Sequence, residues 1–498
     1  MRIGAFLLLS LAALPAVVGA QSSNETPPPI PTTPGTGVST PIDPTRPAPP
    51  GPAVTPDAPL SIFVPPPTIP STSAPVILPS GGGGLPPKAT FGFSFGVAAG
   101  GEYSDNFNLT STHRVENFRS VLAPGGVLDI NGAFTKGSIR YTLAATHDTS
   151  GDDEINLFHQ LAANVAWEAS PRLKLTLSEY LTHSDEPTLA DRLSLRRERR
   201  VYTSNTLGIR SDYRIDQVAT SASYQYATFS ADSGTSGGGG NTVTHTVGVT
   251  AGTSLYATNT LTLGYDYLTS RTDGQTTLGG TSSDMSVSGH QLTGTFQRQV
   301  TTSTTVGVTG SIGFRHEDSD GGTSTDFKLW NIAVFNTYTS GNLTLAGSVG
   351  YSALRRDTGD DSAFFSVTSI SYRFARAVAI LGFDSGFSET YSQGENFGVV
   401  RTRGVTGTFV YEVTPSLTGS VTGFYRENHN TGAAGSLADE RETTWGATLG
   451  IGLQLTRWLR LTTLFAHTEA TTSGATTSQN LGRDYTENRV RLLLSASF

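Results

Sequence analysis

His183 is followed closely by Asp185 and Glu186, and His316 directly by Glu317 and Asp318. An imidazole beside a carboxylate is the raw material of general acid–base chemistry, and with a serine in reach it is the start of acyl transfer. Neighbours within one loop do not align such groups, because catalysis needs convergence in space. The helical His-Glu-x-x-His metal pair does not occur in the chain. Asp318-Ser319-Asp320-Gly321 has the spelling of a calcium loop but lacks the glutamate at the twelfth position, which is Leu329. There is no cysteine, so thiolate chemistry, disulfides and thiolate metal sites are excluded. The expectation is a protein that is not an enzyme, with no catalytic residue, no metal ligand and no cofactor.

A different chemistry stands out in RLSLRRERR, where Arg192, Arg196, Arg197, Arg199 and Arg200 crowd together. Planar guanidinium groups suit phosphate and carboxylate. This run is therefore the expected contact for an anionic ligand, either lipopolysaccharide phosphate or an acidic polymer. The net charge is only −8 and charged residues are 15% of the chain, which gives no footprint for a nucleic-acid partner.

The elements that carry these residues read in two unlike parts. MRIGAFLLLSLAALPAVVGA has a charged start at Arg2, a short apolar run and the small residues Val18-Gly19-Ala20. It reads as a secretory signal cleaved after Ala20. Residues 21–88 hold 21 of the 26 prolines along with Gly, Ser and Thr. Such a composition lacks the apolar side chains that offset chain entropy, so a disordered tether is expected there.

From residue 89 the pattern changes to period two. In TWGATLGIGLQL (444–455), Trp445, Ala447, Leu449, Ile451, Leu453 and Leu455 form one face, and Thr444, Gly446, Thr448, Gly450, Gly452 and Gln454 the other. GSIRYTLAAT (137–146) and NLTLAGSVGYS (342–352) repeat the pattern. These are strands with one apolar and one small polar face. Short connectors such as YRID (213–216) and EVTP (412–415) alternate with long ones such as SADSGTSGGGGN (230–241), HEDSDGGTSTD (316–326) and NHNTGAAGSLADE (428–440). Short turns at one end and long loops at the other are the pattern of a transmembrane barrel, whose apolar face meets lipid. The expected fold is all-β: an antiparallel up-and-down transmembrane barrel over 89–498, with an even count of about twenty strands. Trp167, Trp330, Trp445 and Trp458 fall near strand ends, where aromatic girdles sit.

The phase of the alternation assigns charges to the inner wall. Arg140, Lys174, Arg210, Arg315, Arg426, Arg460, Arg489 and Arg491 fall on it, with Glu102, Asp212, Asp266 and Asp384. The expected wall has a mild basic excess, which favours neutral or anionic solutes. The chain ends in VRLLLSASF, where Val490, Leu492, Leu494 and Phe498 share the apolar face. This ending is similar to the signal that the barrel assembly machinery reads on the closing strand.

GGEYSDNFNL (100–109) followed by VLAPGGVLDI (121–130) resembles the opening hairpin of the beta-barrel porins of bacterial outer membranes found with exopolysaccharide and capsule loci. The resemblance implies an outer-membrane channel tied to polymer export. Outer-membrane lipid, lipopolysaccharide, an exported polysaccharide and periplasmic export components are its implied partners. A general diffusion pore and a non-conducting structural or adhesin-like barrel are the alternatives. Ser104, Asp105 and Asn106 in that hairpin read either as a strand-ending cap or as a rim contact for ligand.

Overall fold

The alternation from residue 90 onward becomes twenty antiparallel strands among the described residues. They are β1 (Thr90–Ser104), β2 (Asn117–Asn131), β3 (Thr135–Asp148), β4 (Ile155–Ser170), β5 (Leu173–Ser184), β6 (Tyr202–Ile215), β7 (Val218–Ala231), β8 (Asn241–Tyr256), β9 (Asn259–Thr276) and β10 (Ser282–Thr301). The second half holds β11 (Thr304–Ser319), β12 (Thr323–Ser340), β13 (Leu343–Arg356), β14 (Gly359–Arg373), β15 (Ala377–Glu389), β16 (Val399–Thr414), β17 (Leu417–Asn430), β18 (Arg441–Gln454), β19 (Leu459–Ser473) and β20 (Tyr485–Ser497). This computed structural model describes residues 90–150, 155–185, 199, 201–231, 241–256, 258–276, 282–319, 323–357, 359–389, 399–430, 441–473 and 484–498. The expected signal and tether lie outside the described residues.

Each strand pairs with its neighbour in sequence, and β1 also pairs with β20, from Gly96↔Ser497 to Ser104↔Arg489. The final residue finishes this seam: Phe498 N–H donates to the Phe95 carbonyl at 2.8 Å and Phe95 N–H to the Phe498 carbonyl at 3.2 Å. The ring is closed, so none of the described strands is left as an edge with unpaired backbone groups, a condition that lipid imposes.

Side-chain exposure separates the two faces. Phe91, Phe93, Leu263, Val334, Phe364, Ile451 and Leu492 point outward and are 50–68% exposed. A belt of this size is stable only against an apolar solvent. Trp167, Trp445 and Trp458 are exposed as well, and Trp458 stacks on Phe498 with ring centroids 6.1 Å apart.

One end of the barrel carries tight turns. Asp216 and Gly341 take φ of 51° and 53° in two of them, a left-handed conformation that Asp tolerates and Gly adopts freely. At the other end several strands outrun the expectation. β11 continues to Ser319 and β12 starts at Thr323, so most of the HEDSDGGTSTD segment is ladder rather than loop, paired Asp318↔Ser324 and Glu317↔Thr325. Asp318 and Ser319 of the calcium-loop spelling are thus strand, and nearby His316 Nδ1 lies 2.6 Å from Asp326 Oδ1 and His316 Nε2 3.1 Å from Asp318 Oδ2.

Candidate pore lining and inner constriction

The inner wall is built from the polar face of every strand. Much of it is hydroxyl, and some of the hydroxyls satisfy one another across strands: Thr242 with Thr272 at 3.0 Å, Thr244 with Ser270 at 2.9 Å, Ser221 with Thr250 at 2.6 Å and Thr295 with Thr309 at 3.0 Å. Glycines between them let long side chains lie flat. Asp384 of β15 meets Arg426 of β17 at 3.2 Å across Gly404 of β16, where an added Cβ would stand 2.5 Å from Asp384 Oδ1.

The richest cluster lies at the seam, at the end of the barrel opposite the tight turns. Glu102 of β1 faces Arg491 of β20 in a close, hydrogen-bonded ion pair, with Arg489 Nη1 3.8 Å from its other oxygen. Ser104 Oγ donates to Glu487 Oε1 at 2.7 Å, and Arg199 Nη2 donates to the same oxygen at 3.2 Å. Asp105 accepts from the backbone N–H and from Nδ2 of Asn488, both at 2.7 Å. Asn106 is 0% exposed; its Nδ2 donates to the carbonyls of Thr110 at 2.8 Å and Thr486 at 3.0 Å. The Tyr-Ser-Asp-Asn stretch is therefore a stitch between the first and last strands, more than a cap and not an open rim contact.

These bonds turn the segment after β1 inward. Phe107 lies between two guanidinium groups, Arg119 at 5.0 Å and Arg199 at 4.6 Å from its ring centroid. Leu109 packs with Ala470 and Tyr485. Arg119 forks onto two carboxylates: Nε to Asp148 Oδ1 at 2.7 Å, Nη2 to Asp148 Oδ2 at 2.9 Å, Nη1 to Asp185 Oδ1 at 3.1 Å and Nη2 to Asp185 Oδ2 at 2.5 Å. Arg119, Arg199, Arg489 and Arg491 thus face Glu102, Asp148, Asp185 and Glu487, a carboxylate for each guanidinium.

On the opposite wall, Leu268, Val287, Phe327, Leu329, Leu354, Ala363, Phe387 and Val399 form a buried apolar cluster on the inner surface. Arg315 of β11 sits at its edge. Its Nη2 donates to Glu389 Oε2 at 3.0 Å and Gln291 Oε1 at 3.2 Å, and its Nη1 to the His290 carbonyl at 2.9 Å.

The sequence-derived wall charges occupy these surroundings. Arg210 pairs with Asp212 at 2.8 Å, and Arg460 Nη2 donates to Thr418 Oγ1 at 2.9 Å. Arg140 and Lys174 lie on the same strand faces as buried Thr142 and Thr182 and are themselves solvent-exposed. Asp266 stands on β9, paired in register with Gln291. Among the described residues Asp148, Glu317, Glu389, Glu442 and Glu487 also stand on or fold toward this wall, as do Arg119, Arg199 and Arg356.

Of the arginine run, Arg192, Arg196, Arg197 and Arg200 lie outside the described residues. Arg199 is a correction to the expected ligand contact: its side chain is buried between Asp185, Glu487 and Phe107. Val490, Leu492 and Leu494 point outward on β20, and Phe498 is the pairing partner of Phe95.

Of the two histidine–acid pairs, His183 does not meet Asp185: its Nδ1 contacts Thr203 Oγ1 at 2.8 Å, while Asp185 turns to Arg119. His316 does meet Asp318 and Asp326, on the outward face of the β11–β12 end. Gly92-Phe93-Ser94-Phe95-Gly96 spells a nucleophile elbow but lies inside β1, with Ser94 paired to Val127, and the sharp strand-to-helix turn is missing.

Arg119, Asp148 and Glu487 were legible as inward by phase, since each alternates with outward neighbours on its strand. Asp185 and Glu389 carried no such signal, because one lies past a strand end and the other past a break in phase.

No family model and no curated protein matches the chain. Among solved structures it is similar to the ferric enterobactin receptor PfeA of Pseudomonas aeruginosa, in a mutant form bound to enterobactin (13% identity, 81% of each chain, TM-score 0.43). It is also similar to the ferric-catecholate import receptor Fiu of E. coli K12 (11% identity, 81% of each chain, TM-score 0.46). A third is the outer membrane protein opdK of Pseudomonas aeruginosa (12% identity, 82% of this chain and 99% of that one, TM-score 0.38). Likeness at this level carries no argument about ligand or mechanism.

Proposed function

We propose that the protein is a bacterial outer-membrane channel that passes polysaccharide or small solutes, in the context of exopolysaccharide export. The observation that carries the channel reading is the pairing of a closed ring of twenty strands with an apolar outer belt and a hydroxyl- and glycine-rich inner wall. A barrel this wide exceeds the strand number at which porins hold an aqueous channel. A wall rich in hydroxyls, some of them bonded to one another across strands, presents a hydrated surface that suits a sugar polymer in transit. The export context rests on the resemblance of residues 100–109 and 121–130 alone.

In this reading the signal is removed after Ala20 and residues 21–88 tether the barrel on the periplasmic side. Lipopolysaccharide surrounds the belt, and the assembly machinery reads Val490, Leu492, Leu494 and Phe498. The arginines at 192–200 outside the described residues are the proposed anionic contact.

Single-channel conductance of the mature chain in planar bilayers tests the proposal. Discrete openings that are blocked by a sugar polymer support it. Openings indifferent to polymers favour general diffusion. A folded, heat-modifiable barrel with no openings points to a structural role.

A further inference from the structure

The end of β15 leaves the wall. The β14–β15 ladder stops at Ser366↔Ser385, while β15 stays paired with β16 as far as Glu389↔Val399. The break falls at Gly386, whose φ of 149° is a conformation that side-chain-bearing residues rarely adopt. Past it the inward–outward phase flips. Phe387, which the alternation would send to the lipid, is 2% exposed inside the apolar cluster of the inner wall. An added Cβ at Gly386 would stand 3.1 Å from Phe365 of β14, so this end lies over the inner face of its former neighbour. Glu389 then reaches Arg315, which belongs to β11, and the contact passes three intervening strands. Such a contact exists only if the strand end crosses the bore side of the wall and narrows it.

The pair itself is deeply buried, with side chains 2% and 8% exposed. It is also incompletely satisfied. Arg315 Nε, Glu389 Oε1, Ser388 Oγ and Thr402 Oγ1 are buried without a hydrogen-bond partner. Buried groups of this kind penalise the inward arrangement, and the ion pair holds it together with the apolar contacts of Phe387 and Val399.

We propose that Glu389 is an internal stand-in for an acidic solute: it occupies the guanidinium of Arg315 and holds the end of β15 across the bore, until carboxylates of an entering polyanion take its place. The exchange replaces one carboxylate by another at Arg315, so the buried cation never loses its counter-charge. A neutral polymer offers no such exchange, and opening for it would leave Arg315 to Gln291 and the His290 carbonyl without its paired carboxylate. Asp266 and Glu317, also facing this region, disfavour a simple accumulation of anions, so the site selects an anion by contact with Arg315 rather than by a broad positive field. The inference rests on the channel reading and adds to it the class of solute, a uronate-bearing polysaccharide.

Two readouts on the mature full-length chain in bilayers or vesicles test it. The first is conductance with and without oligogalacturonate, with neutral dextran as control. Wild type should open wider with oligogalacturonate and not with dextran. Glu389→Gln should open wider with neither present and show no further gain. The double exchange Arg315→Glu with Glu389→Arg should restore the narrow state and abolish the response to polyanion. Unaltered conductance in a correctly folded Glu389→Gln barrel overturns the proposal. The second readout does not need an open pore. Ser388, 2% exposed, is replaced by Cys in this cysteine-free chain, and the rate of its reaction with a charged thiol reagent is measured. The rate should rise at least tenfold with oligogalacturonate or on adding Glu389→Gln. A rate unmoved by both overturns the proposal, whereas a rate that moves in a barrel that never conducts overturns the channel reading instead.

Discussion

Ser104 and Glu487 are 383 positions apart in the chain and joined by a hydrogen bond of 2.7 Å. With Asp105–Asn488 and Asn106–Thr486 it fastens the first strand to the last at the far end of the seam, as Phe95–Phe498 does at the near end. Closure of the barrel is therefore held at both ends by side chains or backbone groups from the two termini.

Asn106→Ala removes donors to two backbone carbonyls at a side chain that is itself fully buried. The expected loss is about 1–3 kcal/mol. Ser104→Ala should cost less, about 1 kcal/mol, because Glu487 keeps Arg199 and Arg489. Unfolding midpoints in urea, read from the heat-modifiable shift of the barrel, should fall in that order.

Arg119→Met removes the guanidinium that Asp148 and Asp185 share, leaving Asp148 with Asn117 and Asp185 with the longer contact to Arg199. Breaking a buried pair from one side costs about 3–5 kcal/mol. Adding Asp148→Asn and Asp185→Asn to Arg119→Met should recover most of the loss. A triple variant no more stable than the single one would show that Arg119 acts through its packing on Phe107 and Phe158 instead.

Leu449 points outward and its neighbour Thr448 inward. Arginine at 449 should cost about 2–4 kcal/mol in bilayers, the range for a cation near the midplane of the lipid face. Arginine at 448 should fold nearly as well as wild type and alter ion selectivity. Equal costs at the two positions would contradict the assignment of faces.

His316 lies beyond Phe314, the last outward apolar residue of β11, where Asp326 first and Asp318 next raise the imidazole above its ordinary value. A raised folded value means that the charged form is favoured in the native state. The contribution to local stability is present in full below the ordinary histidine value and is lost as pH rises through the raised one. Amide exchange at the β11–β12 end should accelerate over that rise in wild type. The His316→Gln variant should show no corresponding step.

What the sequence determined was the period. A two-residue alternation leaves no choice but strands with one apolar and one polar face. Connectors short at one end, as at 216–217 and 415–416, make neighbours in sequence neighbours in the sheet. Twenty strands, their outward residues and most of the wall charges follow from that local rule, as Leu492 and Arg491 show on a single strand. Where side chains from distant strands meet was not in the period. Arg119 reads as inward, but its partners Asp148 and Asp185 are fixed only when β2, β3 and the end of β5 are laid side by side. Arg199 reads as a loop cation that contacts an anionic ligand and is buried instead, because the segment after β1 folds back to receive it. Glu389 is the clearest case. The alternation fails at Gly386, and past that residue only the curvature of a closed wall brings β15 within reach of Arg315. Local periodicity encodes the faces of strands. Contacts across the bore depend on the radius and closure of the ring, which no single strand carries.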